Sequence, residues 1–133
     1  MADTFKFELV SPERVVLSED AEQVVLPGSE GDLGVLPGHA PLIATLRPGV
    51  LDVRLPGATR RIYVRSGFAE VEPERLTVLA EMAFDVDAGD APATIERELD
   101  MARSDLAAAA TDEARFIAQE AIDRLSRLQP ARA

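Results

Sequence analysis

Near Asp85 the spacing of apolar residues changes, and a chain with such a change builds two unlike parts. Before that point apolar and polar residues alternate. Phe5, Phe7 and Leu9 are separated by Lys6 and Glu8, and Leu51, Val53 and Leu55 by Asp52 and Arg54. A period of two is the mark of a half-buried strand. Val15–Leu17, Gln23–Leu26, Arg61–Arg65, Phe68–Val71 and Leu76–Leu79 read as further strands, punctuated by Ser11-Pro12, Pro27-Gly28 and Pro56-Gly57. Short strands broken by turns every 8–12 residues fit an all-β sandwich or barrel.

Beyond Asp85 the period becomes helical. Asp87 to Pro92 reads as a short linker, with Asp90 or Ala91 at the N-cap and Pro92 in the first turn, where a missing N–H costs nothing. Ile95, Leu99, Ala102, Leu106 and Ala109 then recur on one face. Thr111 opens a second helix as its N-cap, and Asp112 and Glu113 suit its positive end. Ile117, Ala121, Leu125 and Leu128 form its apolar stripe, flanked by Ala114, Ala118 and Ile122. Arg124 and Arg127 suit its negative end, and Pro130 stops it. The short connection predicts an antiparallel hairpin. The expected organisation is therefore α+β. An N-terminal all-β sandwich spans 1–86, and a C-terminal two-helix hairpin spans 87–133. The hairpin seam is rich in alanine, which allows close approach but buries little area. Such a hairpin must dock on its own β domain, on a partner, or on each in turn.

Charge and composition exclude several functions. The formal net charge is −10. Residues 1–85 carry 8 basic and 14 acidic side chains, and residues 86–133 carry 6 and 10. Neither part offers the basic surface that nucleic acid or an anionic lipid surface requires. With no cysteine, disulfides, thiolate metal sites and thiol nucleophiles are excluded. No apolar run approaches the roughly 20 residues of a spanning helix, and the N-terminus lacks the apolar stretch of a signal peptide. A cytoplasmic protein that meets a membrane only through a protein partner is expected.

Chemistry-bearing residues are few. His39 is the only histidine, no Gly-x-Ser-x-Gly elbow accompanies it, and it has no companion ligands for a metal. Within Leu36-Pro37-Gly38-His39-Ala40-Pro41 it is expected to hydrogen-bond to loop backbone; a β-sandwich hydrolase using His39 is the remote alternative. The glycines of Gly28-Ser29-Glu30-Gly31-Asp32-Leu33-Gly34 lack the Lys-Ser/Thr ending of a phosphate loop, and the two acidic residues would repel phosphate. A pair of tight turns with an acidic tip is the better reading. Asp85 and Asp87 show no geometry for an acid–base pair.

The stretch from Val25 to Leu42, VLPGSEGDLGVLPGHAPL, resembles the epsilon subunit of F-type, proton-translocating ATP synthases. Phe7–Pro12, Leu46-Arg47-Pro48-Gly49, Ser66–Val71 and Thr77–Ala80 agree with the same pattern in order. The resemblance covers most of residues 5–128. It implies a sandwich of about ten strands followed by two helices. It further implies a non-catalytic central-stalk subunit that binds the gamma subunit and the c ring, coupling proton flow to ATP synthesis. Alpha and beta subunits are candidate partners of the hairpin. Its place would be peripheral, on the cytoplasmic face of a bacterial inner membrane. The candidate c-ring contacts are Ser29, Glu30, Gly31, Asp32 and His39. No cofactor is required. Some relatives bind ATP in the folded hairpin, which makes Leu99, Asp100, Arg103 and Arg124 candidate contacts for ATP as a regulatory ligand. Ser104 departs from the alanine of that motif, Glu120 stands where an arginine is common, and Asp100 and Arg103 at i, i+3 suit an ordinary ion pair. A free-standing ATP-binding regulator is the corresponding alternative. The hairpin also lacks a dense basic face, so weak inhibition of ATP hydrolysis is expected.

Overall fold

The computed structural model describes residues 3–129, so Pro130, read as the helix stop, lies outside them. The chain up to Asp85 forms ten strands: β1 Phe5–Val10, β2 Val15–Ala21, β3 Gln23–Gly28, β4 Gly31–Val35, β5 Leu42–Leu46, β6 Gly49–Leu55, β7 Ala58–Val64, β8 Gly67–Glu72, β9 Arg75–Ala80 and β10 Ala83–Asp85. Two helices follow, α1 Ala91–Ala108 and α2 Asp112–Leu128.

The strands run in the order β10-β7-β6-β3-β5-β8-β9-β1-β2, with β4 added on β3. A single register pair, Gly28 with Leu46, joins β3 to β5. It divides the strands into two halves that fold face to face as a sandwich. All pairings are antiparallel except β1 with β9. The alternation in the sequence becomes the core: Phe5, Phe7 and Leu9 of β1, Leu51 and Val53 of β6, Ile62 and Val64 of β7, and Leu76 and Val78 of β9 all point inward and are buried.

Three short strands escape the alternation: β4 reads Gly-Asp-Leu-Gly-Val, β5 reads Leu-Ile-Ala-Thr-Leu, and β10 has only three residues. The expected turn pair over 28–34 is thus one turn, Ser29-Glu30, followed by a strand. Gly31 supplies its positive φ, at 128°, and Gly28 supplies its clearance, since a Cβ there would lie 2.6 Å from the Gly31 carbonyl oxygen.

The hairpin docks on the outer face of β6, β7 and β10. Tyr63 of β7 and Phe84 of β10 point outward, out of phase with the core, and stack tilted with ring centres 5.3 Å apart. Ile95, Leu99 and Ala102 of α1 and Ala121 and Leu125 of α2 cover them as a second core. Thr111 caps α2, its hydroxyl accepting from the Ala114 N–H at 3.0 Å. Asp90 precedes α1 without a side-chain cap, its carbonyl accepting instead from the N–H and hydroxyl of Thr94.

The expected seam holds for only part of the hairpin. Leu106 and Ala109 are half-buried, Ala114 is exposed, and Ile117 is 45 % exposed. The buried positions of α1 end at Ala102 and those of α2 begin at Ala118. Helical periodicity continues to the tip, but the apolar floor of Tyr63, Phe84 and Val50 does not reach that far.

Candidate functional site

Three features of the surface stand out. The first is the β3–β4 turn. Ser29 donates its backbone N–H to the Thr45 carbonyl at 2.9 Å, which fastens the turn beside β5. Glu30 and Asp32 stand exposed on it, and a shallow groove of about 410 Å³ lies between Gly28–Leu33 and Leu42–Thr45. Its other wall carries Leu42 and Ile43, the latter 72 % exposed. His39 does not line this groove. It sits in the β4–β5 loop, where its ring Nδ1 lies 2.7 Å from the Ala40 carbonyl and its backbone N–H donates to the Leu36 carbonyl. The backbone role expected for it is what the structure shows.

The second feature was missed in the sequence. Phe68 of β8 pairs in register with Leu79 of β9, Leu79 with Val10 of β1, and Val10 with Val15 of β2. A register shift after Leu9 places Val15 opposite Val10. Phe68, Leu79 and Val15 are 50 %, 42 % and 55 % exposed, so an apolar row crosses four strands on the outside of the sandwich. The signal was apolar residues in the phase that should be polar: Phe68 next to buried Ala69, and Leu79 between buried Val78 and Ala80. A contiguous exposed apolar row of this kind marks an interaction surface.

The third feature is the set of ion pairs that hold the hairpin down. Arg65, at the end of β7, reaches Glu98 of α1 at 3.3 Å and Glu81 at 3.7 Å. Arg47, between β5 and β6, reaches Glu120 of α2 at 3.5 Å. The Arg65–Glu98 and Arg47–Glu120 separations are long for charged hydrogen bonds, and Glu98 and Glu120 are largely sheltered from water, whereas Glu81 is exposed. Below α1, Arg60 grips Asp85 with two hydrogen bonds of 3.0 and 2.8 Å, and Arg61 pairs with Asp87 at 3.0 Å. Asp85 and Asp87 thus brace the connection to the helix. Burial pushes the phenol of Tyr63 well above its ordinary range, with the Glu98 carboxylate adding to the effect.

The candidate ATP contacts are dispersed. Leu99 is fully buried in the second core. Asp100 and Arg103 pair with each other at 3.5 Å on the exposed side of α1. Arg124 pairs with Glu120 at 3.5 Å, so Glu120 serves Arg47 and Arg124 together. Among the described residues no cluster of histidine, aspartate and glutamate has the arrangement of a metal site. Among the described residues no helix is long and apolar enough to cross a membrane.

Residues 4–86 match the family model described as ATP synthase, Delta/Epsilon chain, beta-sandwich domain. An ATP synthase epsilon chain of Parvibaculum lavamentivorans is 50 % identical over 131 residues, covering 97 % of this chain and 98 % of the relative. The chain belongs to the ATP synthase epsilon-chain family. The epsilon chain of Brucella canis agrees, at 48 % identity over 132 residues, with 98 % of this chain and 97 % of the relative covered. Two solved structures share the fold. A chain of the Euglena gracilis mitochondrial ATP synthase superposes with a TM-score of 0.72 at 23 % identity, covering 93 % of this chain and 80 % of that one. A chain of the Tetrahymena thermophila mitochondrial ATP synthase, from its central stalk and c-ring structure, gives 0.65 at 13 % identity, covering 96 % and 98 %. An epsilon chain is a non-catalytic subunit of the synthase, which agrees with the backbone role of His39.

Proposed function

We propose that this epsilon chain sits in the central stalk of a proton-translocating ATP synthase as a coupling piece between the gamma subunit and the c ring. Full-length likeness to epsilon chains carries this reading. The surface supports a division of labour. The apolar row Phe68–Leu79–Val10–Val15 is suited to a long-lived interface with gamma. The acidic β3–β4 turn, with Ser29, Glu30, Gly31 and Asp32, is suited to the polar loops of the c ring, and His39 belongs to the same group of candidate contacts. On this reading residues 1–86 are the anchor and residues 87–133 the regulatory part. The subunit is peripheral, at the cytoplasmic face of a bacterial inner membrane, and reaches that membrane through the complex alone.

The hairpin would restrain ATP hydrolysis only weakly. Its contacts with alpha and beta subunits would have to replace the Arg65–Glu98 and Arg47–Glu120 pairs that hold it down. ATP as a regulatory ligand would have to open the Asp100–Arg103 pair and approach Glu120, a carboxylate that repels phosphate.

Copurification tests the main reading. Tagged full-length chain should bring down gamma and the c ring from solubilised membranes, and a Phe68→Glu, Leu79→Glu chain should lose gamma. Recovery of gamma in undiminished yield with the double variant would refute the assignment of that face.

A further inference from the structure

The hairpin and the sandwich do not close on each other along their whole length. Under the tip half of the hairpin lies an open cavity of about 630 Å³. That volume lies within the range of small-molecule sites. Much of its wall is apolar and formed by small side chains, Ala102, Ala118 and Ala121, with Leu125 beside them. Its polar groups are not random. Tyr63 lines the cavity and is 0 % exposed, yet its hydroxyl has no hydrogen-bond partner among the described residues. A buried hydroxyl without a partner is costly, and few such groups occur in native proteins. Glu98 and Arg65 also line the cavity, and both charges act on that hydroxyl. Glu98 Oε1 accepts from Arg65, while its Oε2 accepts no hydrogen bond among the described residues. Glu81 and Asp105 complete the charged lining, so three carboxylates face one guanidinium. Asp105 forms no ion pair among the described residues.

We propose that this cavity binds an organic ammonium ion with an apolar tail: the tail lies along the alanine wall beside the Tyr63 ring, and the ammonium donates to Glu98 Oε2, which no protein group occupies among the described residues. The excess of carboxylate selects a cation over an anion of the same length. The small wall residues leave the room that the tail fills. The ligand would bind only the docked hairpin, because α1, α2 and β7 all contribute wall, and so would hold the hairpin against the sandwich. Such binding depends on neither the coupling role nor the stalk interfaces.

The chain carries its own reporter. Tyr63 is its only tyrosine and there is no tryptophan, so intrinsic emission reads this cavity alone. Octylammonium, octanol and octanoate, each below its micellar concentration, are titrated into the full chain. The expected result is a saturable change in Tyr63 emission with octylammonium, at least about tenfold tighter than with octanoate. Glu98→Gln should weaken octylammonium about fivefold or more and leave octanol unchanged. If octanol binding also disappears in that variant, the hairpin has come loose, and Asp105→Asn, which touches no ion pair, decides: it should weaken octylammonium about twofold to threefold. Octanoate binding as tightly as octylammonium, no saturable change with any of the three at millimolar concentration, or octylammonium affinity unchanged in Asp105→Asn and Glu98→Gln would each overturn the proposal.

Discussion

Truncating Leu99 to alanine should release the hairpin while leaving the sandwich intact. Only three large helix side chains are fully buried beneath the hairpin: Ile95, Leu99 and Leu125, at 2 %, 0 % and 1 % exposure. At about 1.5–3 kcal/mol each, they contribute roughly 5–9 kcal/mol of docking before the entropy of ordering is subtracted. Removing the Leu99 side chain costs about 2–5 kcal/mol, about half of that sum when like ends of the two ranges are compared. The two cores share no buried residue, since Leu99 touches the Tyr63–Phe84 layer and not the sandwich interior. Native-state hydrogen exchange reads the two parts separately. Amides of residues 95–125 should exchange about thirtyfold to several thousandfold faster in Leu99→Ala, at about 1.4 kcal/mol per decade. Amides of β1, β8 and β9 should keep their protection. Equal acceleration in helices and strands would show that hairpin and sandwich open as one unit, and the reasoning from two separate cores would fail.

Two further predictions test the parts individually. Gly67 has φ 150°, and a Cβ there would lie 2.0 Å from the Leu79 carbonyl oxygen, so Gly67→Ala should destabilise the sandwich by more than about 1 kcal/mol in urea melts and disturb the Phe68–Leu79 row. Tyr63 should resist ionisation in an alkaline absorbance titration. Its folded-state value is raised above the ordinary 10.0, so the unfolded chain loses this proton first. Stability from this group is therefore full below pH 10 and falls as pH rises above it, and Leu99→Ala should bring the titration back toward the ordinary range.

How legible all this was in the sequence depended on whether a residue's environment is set locally. Strands such as β1 and β6 announced themselves because one face meets the core and the other meets water. β4 did not, since Gly31, Asp32 and Gly34 carry no strand preference, and its place comes from pairing with β3. The hairpin's existence and its Thr111 cap were readable. Its burial was not, because periodicity cannot say where the floor beneath it ends, and so Ile117 and Leu106 looked like core. The same reason hid the apolar row. Phe68, Leu79, Val10 and Val15 lie on four strands, and only the register brings them together. Glu120 was read as an obstacle to phosphate; its pairing with Arg47, 73 positions away, depends on the docked fold.

In the proposed arrangement the β-sandwich anchors this subunit in the stalk with its acidic turn toward the c ring. The chain has no cysteine, so a single one can be placed without removing others. Glu30→Cys, assembled into the synthase and exposed to a short thiol-to-amine cross-linker, should join to a c subunit. A cysteine in place of Thr59 of β7, which pairs with Arg54 at the end of β6 away from Gly49 and lies off the apolar row, should not. Cross-linking of both to c, or of neither, would contradict this placement of the acidic turn.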